Sequence, residues 1–299
     1  MKHLLAIAAV TLAAGGAQAQ SGGAMGSIPS GFEIYGDIDV TYAFDNSGNS
    51  TVGFGKLGLG YRYDISSDLA IGAGVRAVSV FGDFDSETEY GFYAYVDYRD
   101  FRLSYGAIDN AAARFDWDFV AFENTYLGVF LPFNVPIGIN AQFAFIDDII
   151  RVDARFGNFD LSASYSDEAE IGTIAGQTEF GNLRLLAAID FWLGGGGSDE
   201  KIVTFGANYT LNAFEFGAVI GIPSSSAPFD SITRIAATYH INDNLSVKAV
   251  YAPESFIRID IWEVSATYDV TDIFSIGVSA GEGIFSSGTF FGITASAHF

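Results

Sequence analysis

Apolar and polar residues alternate with a period of two along nearly the whole chain. In FEIYGDIDVTYAF, Phe32, Ile34, Ile38, Val40, Tyr42 and Phe44 share one phase, and Glu33, Asp37, Asp39 and Thr41 share the other. Successive side chains of a strand point to opposite faces, so this spacing predicts a strand with one greasy and one wet face. The pattern recurs with Leu57, Leu59, Tyr61 and Tyr63 set against Lys56, Arg62 and Asp64. Leu69, Ile71, Ala73 and Val75 alternate with Gly72, Gly74 and Arg76; Tyr90, Phe92, Ala94, Val96 and Tyr98 alternate with Glu89, Asp97 and Arg99. Further runs begin near Phe101, Ile150, Phe159, Val203, Phe214, Ile235, Leu245, Trp262, Phe274 and Phe291. No comparably long stretch has a helical period, so the chain is expected to be all-β and antiparallel.

Two architectures share this alternation. A soluble sandwich or propeller buries the apolar faces. A transmembrane β-barrel turns them to lipid and keeps the polar faces for a lumen. The connections favour the barrel. Tight joins at Arg99-Asp100, Gly157-Asn158, Asn212, Asn242-Asp243-Asn244 and Thr271-Asp272 alternate with longer segments such as DNSGNS, FGDFDSET, GGGGSDE, IPSSSAPFD and GEGIFSSG. Short turns at one end and long loops at the other mark an outer-membrane barrel. Aromatic residues on the apolar phase flank the tight turns: Tyr98 and Phe101, Phe156 and Phe159, Tyr209 and Phe214, Tyr268 and Phe274. Such rings form a girdle at headgroup level.

Composition narrows the setting. MKHLLAIAAVTLAAGGAQAQ reads as an export signal, with Lys2 and His3, an apolar core and an Ala17-Gln18-Ala19 cleavage site, giving a signal peptide at 1–19 and a barrel domain at 20–299. The apolar core is too short to span a bilayer. Without Lys2, 13 basic residues face 36 acidic ones, a formal −23. Nucleic acid is excluded as a partner by that sign, since phosphate contact needs a basic footprint. There is no cysteine, hence no disulfide and no thiolate metal site.

Fourteen strand runs are clear, and two segments each offer a further hairpin: 125–131 with 137–145, and 171–178 with 183–192. Sixteen strands is the expected count, with fourteen and eighteen as the alternatives. The remaining 280 residues then leave about 17 per strand and connection, enough for spans of roughly 9–11 residues. Backbone amides inside hydrocarbon must all be paired, so the last strand has to meet the first. FFGITASAHF, ending in Phe299, is the expected closing strand, with Phe299 in the turn-side girdle.

The export signal, FEIYGDIDVTYAF, LSYGAIDNAAARFDWD, DDIIRVDARFGNFDLSASYSDE and the final phenylalanine together resemble the general porins of alphaproteobacteria. The resemblance implies a trimeric sixteen-stranded barrel in the outer membrane of a Gram-negative bacterium, reached through the periplasm and surrounded by lipid and lipopolysaccharide. It also implies that the barrel-assembly machinery reads a C-terminal signal, here Phe291, Ile293 and Phe299. A third long loop would fold into the lumen. Two placements of 125–146 stay open, loop or hairpin; a hairpin would shorten that loop to about 108–124.

On this basis the expected function is passive diffusion of small hydrophilic solutes and ions, with mild cation preference from the acidic charge. Asp109, Asp116, Asp118 and Glu123 would form the acidic loop side of a constriction, and Lys56, Arg62, Arg76 and Arg102 the basic wall. Arg234 and Lys248 share the polar phase. No cofactor is expected. Asp83, Asp85 and Glu87 offer hard oxygen ligands for a structural calcium ion, but lack the glycine and final glutamate of a dedicated loop, so a solvated surface is the favoured reading. GFGKLG (53–58) matches a dinucleotide fingerprint, and GVSAG (277–281) a nucleophile elbow. Both sit in strand patterns without the helix their chemistry needs. His240 and His298 lie on the polar phase without a nucleophile partner, so no enzyme is expected. The alternatives are a substrate-specific channel and a non-conducting anchor or adhesin.

Overall fold

The computed structural model describes residues 31–45, 48–83, 86–115, 117–121, 149–168, 170–192, 201–224, 231–253, 260–282 and 289–299. Strands β1 (Phe32–Asp45), β2 (Gly48–Asp64), β3 (Leu69–Gly82), β4 (Glu87–Tyr98) and β5 (Phe101–Gly106) come first. Next along the chain are β6 (Ile149–Phe156), β7 (Phe159–Ser166), β8 (Ile171–Phe180), β9 (Leu183–Trp192) and β10 (Lys201–Leu211). The chain ends with β11 (Phe214–Pro223), β12 (Ile232–Asn242), β13 (Leu245–Ala252), β14 (Ile261–Thr271), β15 (Phe274–Glu282) and β16 (Thr289–His298). Each strand pairs antiparallel with the next, and β16 pairs with β1, closing a sixteen-stranded barrel. The hairpin at 171–178 and 183–192 is β8–β9; the alternative hairpin at 125–146 lies outside the described residues.

The faces are inverted relative to a soluble protein. Phe92 on β4 is 78% exposed on the outside, whereas Arg76 on β3 is 8% exposed and points inward. A continuous apolar exterior needs lipid, and closure leaves no unpaired strand edge within it. Both glycine-rich letter matches lie inside strands, in β2 and β15, with no helix after either among the described residues.

The turn-side girdle is built from neighbouring hairpins. The Phe101 and Phe156 rings meet edge-on at 5.8 Å, and Phe214 stacks on Tyr239 at 4.7 Å. Two-residue turns between them need a left-handed backbone. Gly157 and Gly181 supply it without a Cβ clash, at φ 59° and 60°. Arg99 adopts it at φ 52°, held by its N–H donating to the Asp68 carbonyl at 2.9 Å.

At the seam, Thr41 faces Thr294 with hydroxyls 2.7 Å apart, and His298 Nδ1 lies 3.0 Å from Asp37 Oδ1. Phe299 extends the pairing: Gly36 N–H donates to its carbonyl at 2.7 Å, and its own N–H donates to the Gly36 carbonyl at 3.0 Å. A Cβ on Gly36 would stand 3.1 Å from the Phe299 ring, so glycine lets that ring lie against the outer face. Phe291 and Ile293 also point outward. Deleting Phe299 is expected to cost about 2 kcal/mol, two backbone hydrogen bonds at roughly 1 kcal/mol each. Urea unfolding of the folded barrel in lipid checks this, and Phe299→Ala, which keeps both bonds, should lose less.

One feature departs from simple alternation. Along β9 to β16, several inward positions are also apolar: Leu186, Ala188, Ile202, Val219, Val250, Ile261 and Phe290 are all buried. A lumen wall facing only water would not bury them.

Candidate functional site

The chain leaves the wall at Gly106, whose φ of 110° and close approach to the Phe92 carbonyl admit no side chain: a Cβ would lie 2.1 Å from that oxygen. Three residues on, Asp109 sits against the neighbouring arc of the lumen wall. Lys56 Nζ donates to its Oδ2 at 2.7 Å, and Arg76 Nη1 lies 2.9 Å from its Oδ1. Arg151 Nη1 donates to the Asp109 carbonyl at 2.7 Å. Strands β2, β3 and β6 therefore grip one loop residue.

The grip continues along the loop. Ala111 N–H donates to Ser164 Oγ at 2.8 Å, and the Asn110 side chain caps a turn by accepting Ala113 N–H at 2.8 Å. Arg114 Nε lies 3.4 Å from Asp153, which also takes Arg151 Nε at 3.1 Å and the Ser162 hydroxyl at 2.6 Å. Beyond it, Trp117 donates its ring N–H to the Ala112 carbonyl at 3.0 Å. A short 3-10 turn, Asp118–Val120, then lays Phe119 and Val120 on β11 and β12. Glycines on the wall receive the rings: a Cβ at Gly206 would stand 2.7 Å from the Trp117 ring, and one at Gly217 2.5 Å from Phe119. Leu186 and Ala188 of β9, Val219 of β11, Val250 of β13, Ile261 of β14 and Phe290 of β16 join this cluster. Residues 109–115 and 117–120 thus run inside the barrel, pinned by charge at one end and by apolar packing at the other.

Burial alone would push the Asp109 carboxyl up. The positive charges of Lys56 and Arg76, the Lys56 hydrogen bond and the charge of Arg151 outweigh it, and hold this loop acid well below the usual carboxylate range. A carboxyl depressed in this way stabilises the docked loop above its unfolded value of about 3.9, and that contribution fades only as pH falls through the lower folded value.

The four basic residues expected on the wall divide into two groups. Lys56 and Arg76, at mid-height, reach Asp109. Arg62 and Arg102 lie near the tight turns and bind Asp97 on β4: Arg102 through Nε and Nη2 at 2.5 and 2.9 Å, Arg62 through Nη1. Register separates them, since Arg62 lies six residues beyond Lys56 along β2. Their partner is a wall acid rather than a loop acid, which corrects the expectation that all four bases face the loop. Of the loop acids, Asp118 opens the 3-10 turn, while Asp116 and Glu123 lie outside the described residues. Asp83 is exposed and accepts Thr51 N–H at 2.6 Å; Glu87 begins β4, and Asp85 lies outside the described residues.

Arg114, Arg151, Asp153 and Trp117 join the site although the sequence reading does not single them out. The alternation in DDIIRVDARF does place Arg151 and Asp153 on the polar phase, and that is the signal by which those two could be found.

The family model described as Gram-negative porin matches residues 6–295. No curated protein matches the sequence significantly. Among solved structures, a Rhodopseudomonas blastica porin mutant aligns at TM-score 0.67 and 15% identity, over 90% of this chain and 100% of that one. A loop-deletion mutant of OmpT, an outer membrane protein of Vibrio cholerae, aligns at 0.63 and 15%, over 90% and 99%. Salmonella typhi OmpF in complex with daunomycin aligns at 0.64 and 10%, over 90% and 97%. At such identities the likeness carries the fold.

Proposed function

This chain belongs to the Gram-negative porin family, and on that premise we propose that the pinned segment 109–120 sets the aperture of its channel. The protein is an outer-membrane channel for passive diffusion. What supports the proposed aperture is the double anchorage of the loop, by Asp109 on Lys56 and Arg76 and by Trp117 and Phe119 on β10 and β11. Ion pairs at a constriction select by sign and orient dipolar solutes. The formal charge of −23 on the mature chain supports mild cation preference. The resemblance to trimeric porins supports a homotrimer.

Planar-bilayer recording of the purified, refolded protein is the test. A large ohmic conductance with a reversal potential displaced toward cations in a salt gradient is expected. Anion preference at low salt removes the charge proposal, and silence points to an anchor. Trimers that survive detergent on an unheated gel are expected alongside.

A further inference from the structure

On the turn-side half of the lumen, three tyrosines lie flat on a floor of glycines. Tyr35 of β1 covers Gly58, where a Cβ would fall 2.1 Å from its ring; Tyr95 of β4 covers Gly72 at 2.2 Å; and the hydroxyl end of Tyr93 of β4 covers Gly74, its ring at 2.5 Å. Any side chain at those glycines would stand the rings up. The Tyr35 and Tyr93 side chains are neighbours, and the Tyr93 and Tyr95 rings run nearly parallel, 11° apart in plane with centroids at 6.5 Å. Arg102 covers Tyr95 at 4.3 Å, whereas Tyr35 and Tyr93 remain partly open to the lumen. This arrangement plays no part in anchoring the loop.

The basic groups beside the rings are paired with acids. Arg62 and Arg102, 35% and 40% exposed, flank Asp97, and Glu33 lies exposed within electrostatic reach of both Tyr93 and Tyr95. Arg62 also pairs with Asp64 at 3.0 Å, so both cations are matched by acids and the patch offers no unpaired positive charge to attract an anion. It does offer flat π faces together with both donors and acceptors. A guanidinium carries five N–H groups, and the ion pairs with described residues engage two on each arginine. A neutral ring with an apolar C–H face and hydroxyls around its edge fits that chemistry; a bare ion or an acyclic chain does not.

We propose that Tyr35 and Tyr93, with Arg62, Asp97 and Arg102, form a stacking subsite for neutral cyclic sugars on the periplasmic side of the loop. It rests on the channel reading above. A solute leaving the aperture would meet a weak, saturable surface there instead of bulk water.

The experiment uses the full refolded chain in a planar bilayer, with sucrose as the probe and sorbitol as an acyclic polyol at matched viscosity. For the native protein, sucrose is expected to reduce the ionic current along a saturating curve, while sorbitol lowers it only in proportion to bulk conductivity. Tyr93→Ala and Tyr35→Ala should each raise the half-blocking sucrose concentration about tenfold, the upper range for one aromatic contact. Tyr93→Phe, which keeps the ring, should stay within about twofold of native. Because each variant must conduct before it can be blocked, conduction itself reports a folded barrel. A conducting native channel with linear, sorbitol-like attenuation by sucrose overturns the subsite and leaves the channel reading standing. So does saturable block that survives both alanine variants, or block by tryptamine but not sucrose. A silent native protein overturns both.

Discussion

Replacing Asp109 by asparagine is expected to shift the channel toward anions. The side chain is the loop's only described contact with Lys56 and Arg76, at 2.7 and 2.9 Å, and its loss leaves both cations facing the aperture. At about 5 Å in water, one unit charge acts on a passing ion with roughly 0.8 kcal/mol, a factor of about four for each ion and, because cation and anion respond with opposite sign, roughly sixteen in the cation-to-anion permeability ratio. The shift should be largest near 0.01 M salt, where the Debye length is about 30 Å, and shrink near 1 M, where it is about 3 Å. Reversal potentials in a salt gradient, measured for the native protein and Asp109→Asn, give the ratio directly. Equal ratios at low salt would mean that Asp109 does not border the conducting path. Because Asp109 is held below the ordinary carboxylate range, the native loop should stay docked as pH falls from 7 to about 4. Open-channel noise that climbed already between pH 6 and 5 would contradict this.

Releasing the other end of the loop should change the current more visibly. Trp117 is 2% exposed and Phe119 6%, and truncating a buried aromatic side chain costs about 3–5 kcal/mol. That loss falls on loop docking, because the barrel is held by its own closed ladder of strand pairs. Trp117→Ala with Phe119→Ala is therefore expected to leave the folded barrel intact on gels and by circular dichroism. The steady current should become a flickering one of higher mean conductance. Gly206→Leu attacks the same contact from the wall, since its side chain would occupy the space of the Trp117 ring. If both variants conduct as quietly as the native protein, the docked loop is not what narrows the lumen.

Several of these groups are legible in the amino-acid pattern. Lys56, Arg76 and Asp109 stand out because polar-phase bases on early strands and an acid after β5 are what a charged constriction requires. The pairing itself is not legible. Nothing in the spacing of residues 56, 76 and 109 says that Arg62 and Arg102, equally basic and on the same phase, turn to Asp97 instead. The tyrosine floor is hidden for a related reason: each glycine reads as a lax strand position until the ring lying across it is known.

The sequence by itself determined the class of fold, because a period of two is a local property that survives translation along the chain, and aromatic residues at turn ends mark an interface one hairpin at a time. It also determined which residues look inward. Which inward residues touch was decided only by register and closure, which bring together side chains far apart in sequence such as Asp109 and Lys56. The apolar inner arc shows the same division, since alternation assigns Leu186 and Val219 to the lumen, and only the docked Trp117 and Phe119 explain why that face is dry.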